Sequence, residues 1–104
     1  MKFSVDGNQT YAYTGGRLLT KGQPLVVLVH GAQSDHSVWG LQSRYLAHHG
    51  YSMLALDLPG HGRSGGAPLQ SIEALARWAC AAVPAACTAA GLRGVPPAVI
   101  AGHS

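Results

Sequence analysis

Residues Pro24 to Ala32, "PLVVLVHGA", determine what kind of sheet this chain can build. Leu25 to Val29 is an unbroken apolar run with β-branched residues at Val26, Val27 and Val29. A strand with one wet face alternates apolar and polar residues. A run without alternation is covered on both faces, as the strands of a parallel sheet are. His30-Gly31-Ala32 follows the run directly and opens a loop.

The pattern on either side agrees. Downstream, Ser37 is placed to cap a helix from about Val38 to His49, with Trp39, Gln42, Tyr45, Leu46 and His49 on one face and Gly50 as its stop. Tyr51 to Leu56 is a second buried strand, and the glycine-rich loop Asp57 to Pro68 follows it. Ser71 caps a second helix, in which Ile72, Leu75, Ala76, Ala79, Ala82, Val83, Ala86, Cys87 and Ala90 keep helical period up to Gly91. Pro84 is expected to kink it by removing a backbone donor. Ala98 to Ala101 is a third buried strand. Upstream, Lys2 to Val5 and Gln9 to Thr14 flank Asp6-Gly7-Asn8, a turn that sets them as an antiparallel hairpin. The expected fold class is α/β, an antiparallel hairpin followed by parallel strands with crossover helices, in one domain over residues 1–104.

Composition narrows the function. The 104 residues are 47% hydrophobic, enough for one small core. Seven Lys and Arg against four Asp and Glu give a net charge of +3, but the basic residues are scattered and few aromatics accompany them, so no nucleic-acid partner is expected. The N-terminal "MKFSVDGNQT" lacks the apolar core of a signal peptide, and no apolar run is long enough for a bilayer. A cytoplasmic protein without membrane contact is the expectation. Cys80 and Cys87 are separated by two helical turns, about 10 Å, too far for a disulfide. Both read as small core residues.

Three short motifs bear on chemistry. Gly60-His61-Gly62-Arg63-Ser64-Gly65 has the spacing of a dinucleotide-binding loop, but Ala67-Pro68 separates it from the next helix, and no acidic residue follows Glu73. His30-Gly31-Ala32 either aims a backbone N–H, that of Ala32, at a developing oxyanion, or is an ordinary strand-to-helix turn. Gly102-His103-Ser104 forms the first half of a Gly-x-Ser-x-Gly turn, in which a serine rises above the sheet edge and a small Gly102 relieves crowding. His36, His48 and His49 lack the spacing of metal ligands and read as surface or capping residues. Trp39 and Trp78 fit packing roles. No cofactor and no metal is implied.

Together, "LVVLVHGAQSDHSVW", "QSRYLAHHGYSMLALDLPGHGRSGG" and "AVIAGHS" resemble the α/β-hydrolase family in order and spacing, from near residue 24 to the end. The resemblance implies an N-terminal half of that fold, with Ser104 on the catalytic nucleophile and Ala32 on the oxyanion-hole donor. His30, Gly31, Gly102 and His103 belong to site-shaping loops, as does Asp57 to Ser64. It also implies that the strand ending at Ala101 lies beside the one ending at Val29, so that both loops share one crevice.

The implied activity is serine hydrolysis of an ester or similar acyl bond in a small-molecule substrate, through an acyl-enzyme. Other reactions of the scaffold compete with it: carbon–carbon bond hydrolysis, cofactor-free peroxidation and acyl transfer. A non-catalytic binding module is the alternative from another class. Dehalogenases and epoxide hydrolases of this fold use aspartate at the elbow, which Ser104 argues against. In the family the acid and the histidine follow the serine. All four acidic residues and all six histidines here precede it, so the partner expected for this chain is the C-terminal half of its own fold. A terminal carboxylate about 4 Å from a forming oxyanion would oppose it by up to about 4 kcal/mol at an effective dielectric of 20. As a truncated domain the chain is expected to be a poor catalyst.

Overall fold

A computed structural model of the chain describes residues Met1 to His103; Ser104 lies outside the described residues. The elements run β1 (Lys2–Val5), β2 (Asn8–Tyr13), β3 (Leu25–Val29), a 3₁₀ turn (His36–Trp39), α1 (Gly40–Ala47), β4 (Ser52–Leu56), α2 (Ile72–Ala89) and β5 (Ala98–Gly102). The strands form one sheet in the order β1-β2-β4-β3-β5. The hairpin is antiparallel, β2 meets β4 antiparallel, and β3 lies parallel to both β4 and β5. Among the described residues no helix is long and apolar enough to cross a membrane.

Unbroken apolar runs at β3 and β4 are explained by what lies on each side. Leu25, Val27 and Val29 point with Leu54 and Leu56 toward Trp78, Ala82, Val83, Ala86 and Cys87 of α2. Leu28, Met53 and Ala55 point the other way, toward Ala47, with Val26, Trp39 and Leu46 packed around them. The result is three layers with the sheet in the middle. Ser71 caps α2 as the sequence requires, its hydroxyl accepting from the Ala74 N–H at 3.1 Å.

Four expectations are corrected. The cap before α1 is Asp35, whose carboxylate accepts from the Ser37 N–H at 2.8 Å, and the first turn is 3₁₀. The buried stripe of α1 is Ser43 and Ala47, beside the partly buried Trp39 and Leu46, while Tyr45 is 62% and Leu41 75% exposed. Small residues win this face because the helix packs directly onto the backbone at Gly15. Pro84, where a kink is expected, lies inside α2; that residue and Cys80, whose carbonyl loses its helical donor, are both exposed, where water can serve the carbonyl. Ile72 and Ala76 are exposed, and Trp78 takes their place in the core. Last, β5 is not buried: Val99 and Ile100 are 64% and 57% exposed, because among the described residues β3 is its one neighbour in the sheet.

The two cysteines also part company. Cys87 is buried under the returning chain, where the Leu92 N–H donates to its carbonyl at 2.9 Å, and burial raises its thiol pKa above the ordinary value. Cys80 is exposed, contrary to the core role expected for it. A thiol reagent at pH 8 should therefore modify one cysteine per chain rapidly, with peptide mapping placing it at Cys80. Cys87 should follow only in denaturant. Equal rates at both positions would show that the α2 packing is wrong.

Candidate active site

The carboxyl ends of β3, β4 and β5 meet where the chain, having stepped from β3 to β4 on one side, returns to β5 on the other. In an open α/β sheet this reversal leaves a crevice above the strand ends. Val29 is in register with Gly102, and the His103 N–H donates to the Val29 carbonyl at 3.0 Å. The loops that leave the two strands are therefore neighbours. Gly31, Ala32, Ser34, Trp39, Gln42 and His103 line a cavity of about 370 Å³ between them. The His103 ring stands edge-on to Trp39, with centroids 6.2 Å apart. The Trp39 Nε1 is buried and has no hydrogen-bond partner among the described residues.

Of the sequence-predicted site residues, the structure brings together Gly31, Ala32 and His103 in this cavity, with His30 and Gly102 at the strand ends beneath it. Ser104, the candidate nucleophile, lies outside the described residues. The crowding expected at Gly102 is absent among the described residues, since a Cβ there meets nothing within 4 Å. Among the described residues β5 has a neighbour on one side alone, so space is open at that point.

His30 is buried and its ring bridges two loops. The Leu58 N–H donates to Nε2 at 3.0 Å, so Nε2 must carry a lone pair. The proton is then on Nδ1, which donates to the Gly31 carbonyl at 2.7 Å. Three residues later Gln33 adopts a φ of 60°, a left-handed conformation uncommon outside glycine.

The second loop is organised by Asp57, fully buried at the end of β4. Its Oδ1 accepts from the His36 N–H at 2.7 Å and the His36 Nδ1 at 2.9 Å; its Oδ2 accepts from the Arg63 N–H at 2.9 Å. Gly62, at φ 50°, lies so close that a Cβ there would overlap the Asp57 carboxyl. Ser64 donates from its hydroxyl to the Asp57 carbonyl at 2.6 Å and accepts from the Tyr11 N–H at 3.0 Å. The Asp-x-Pro-Gly-His-Gly-x-Ser pattern is thus the set of residues needed to fold a loop around one buried carboxylate. The Gly65 N–H is spent on the Gln9 carbonyl, and α2 begins at Ile72, so these glycines do not present a phosphate cradle.

Sequence reasoning missed the His36–Asp57 pair, and the signal was available only as the motif around Asp57. The ligand-capable atoms of Asp35, His36 and Asp57 fall within 4.8 Å of one another. Those atoms are already engaged: Asp57 by His36 and Arg63, Asp35 by Ser37. Hydrogen bonding from Ser37, from its side chain first and then its backbone, holds the Asp35 carboxyl below the ordinary value. A folded-state value that is depressed makes this cap fully stabilising above the unfolded carboxylate range and lost as pH falls through the folded value. His36 lines a different cavity, with Tyr13, Gly40 and Arg44, and does not face His103. His48 and His49 are exposed and donate from Nδ1 to the Arg44 and Tyr45 carbonyls, as capping residues do. A larger hollow of about 530 Å³ lies at the opposite end of β3 and β5, between Lys21 to Pro24 and Gly91 to Pro97; no serine, cysteine, histidine or carboxylate lines it among the described residues.

Residues 26–104 match the family model described as the alpha/beta hydrolase family. Over 57 residues the chain is 40% identical to pimeloyl-(acyl-carrier protein) methyl ester esterase of Klebsiella pneumoniae, covering 55% of this chain and 22% of the esterase. A solved membrane phospholipase A, described as a bacterial virulence factor, is similar in fold with a TM-score of 0.76 at 24% identity, over 100% of this chain and 31% of that one. The thioesterase domain from the curacin biosynthetic pathway gives 0.69 at 26% identity, over 100% and 36%. The chain spans about a fifth of the esterase and about a third of each solved structure.

Proposed function

Because the chain belongs to the alpha/beta hydrolase family, we propose that it carries the nucleophile and one oxyanion donor of a serine hydrolase acting on an ester or similar acyl bond. Ser104 Oγ attacks the acyl carbon, the Ala32 N–H receives the oxyanion, and the alcohol departs with a proton to leave an acyl-enzyme, which water then cleaves. His30, Gly31, Gly102 and His103 shape the pocket around that event. The observation that supports this reading best is the pairing of Val29 with Gly102, which sets Ala32 and His103 on one cavity. The esterase and thioesterase likenesses point to acyl transfer to water as the reaction class.

The general base and its acid belong after the serine in chain order. His36 and Asp57 are a hydrogen-bonded histidine–carboxylate pair, but His36 lines another cavity and Asp57 is fully buried. Residues 1–104 alone are therefore proposed to give no burst of nitrophenol. The test is to express the reading frame that carries this chain to its stop codon and supply nitrophenyl acetate and butyrate. A nitrophenol burst equal to the enzyme concentration is expected, with a fluorophosphonate adduct on the peptide containing Ser104. Turnover with the adduct elsewhere would overturn the assignment.

A further inference from the structure

We propose that Asp57, acting through His36, is the positioning residue for the oxyanion loop, a role that rests on the serine-hydrolase reading above. The loop from His30 to His36 is tied to the loop after β4 at both ends. At the near end the Leu58 N–H binds the buried His30 ring. At the far end one residue, His36, gives its main-chain N–H to Asp57 Oδ1 and shares its ring Nδ1–H between Oδ1 and Oδ2, at 2.9 and 3.0 Å. Between the anchors are Gly31, Ala32 and Gln33, and the left-handed Gln33 is a conformation that persists only where its surroundings over-determine it. A tether inside the loop, from the Gln33 N–H to His61 Nε2, is long at 3.4 Å.

His36 cannot drift from its post. Tyr11 and Tyr13 flank its ring, with centroids 4.9 and 6.0 Å away. Asp57 is held in turn by the Arg63 N–H and by the room that Gly62 leaves. The carboxylate never reaches the reacting atoms; it sets where the Ala32 N–H points, and misplacement of such a donor by about 1 Å can cost up to about 100-fold in rate.

The test compares His36→Leu, which deletes the Nδ1 donor, with His36→Asn, whose amide nitrogen falls near the Nδ1 position. In the reading frame expressed to its stop codon, His36→Leu should lower kcat for nitrophenyl acetate by about tenfold or more with KM little changed. His36→Asn should recover most of the loss. In the same protein, amide exchange at Gln33 and Leu58, whose N–H groups are bonded to His61 and His30, should quicken by about tenfold in His36→Leu while Val27 and Leu54 keep wild-type protection. Asp57→Asn should act like His36→Leu, and if it fails to fold the His36 pair decides. Unchanged exchange at both Gln33 and Leu58 in His36→Leu overturns the proposal whatever the activity does. Unchanged kcat in that variant, where Ser104→Ala is inactive, overturns it as well. If Ser104→Ala keeps full activity the nucleophile assignment falls instead, and the exchange comparison alone then supports or overturns the hold of Asp57 on the loop.

Discussion

Ser104→Ala is expected to remove ester hydrolysis from the expressed reading frame by a factor of about 10⁴ or more, because without Oγ no acyl-enzyme forms. Three further variants separate the roles around it. Ala32→Gly should change kcat/KM little, since the donor inferred there is a backbone N–H that survives. Ala32→Pro deletes that N–H and should cost about 3 to 4 kcal/mol of transition-state stabilisation, with circular dichroism confirming that the sheet remains. His103→Ala should be milder than Ser104→Ala, because its ring stands edge-on to Trp39 and so packs as a neighbour of the elbow. Ala32→Pro with full activity would remove the oxyanion role from this loop. Full activity in Ser104→Ala would remove the nucleophile.

The second large effect is on stability. Gly15 and Gly16 both have positive φ, 74° and 88°. A Cβ on Gly16 would meet nothing within 4 Å, whereas one on Gly15 would sit 2.6 Å from the Ala47 Cβ and 2.9 Å from the Ser43 carbonyl carbon of α1. Gly16→Ala should carry only the backbone term, about 1 kcal/mol. Gly15→Ala adds overlap with a rigid helix and should total about 3 kcal/mol. Urea titration of the two variants measures the difference directly. Equal losses would mean that α1 does not rest on Gly15, and the face assigned to that helix would have to be revised.

What the sequence determined by itself is the set of elements and their order. The runs at Leu25 to Val29 and Tyr51 to Leu56 admit few readings other than strands buried on both faces, though Tyr51 is exposed and the second strand starts at Ser52, and Ser71 can cap α2 with no help from elsewhere. These are properties of neighbouring residues: side-chain alternation, capping hydroxyls, glycine at turns. The family motifs placed His30-Gly31-Ala32 and Gly102-His103 at adjacent strand ends, and the register of β3 with β5 agrees. Burial was a different matter. Helical period puts Cys80 and Cys87 near one stripe, but which of them is covered depends on the chain that returns after α2. β5 reads as a core strand, yet its exposure is set by the number of strands beside it. The glycine pair after β2 reads as a turn, and only the arrival of α1 makes Gly15 the costlier of the two to change. Asp57 and His36 are 21 residues apart, and no local rule pairs them. They meet because parallel pairing of β3 with β4 brings the loops after both strands to the same end of the sheet, where a buried carboxylate must find its donors.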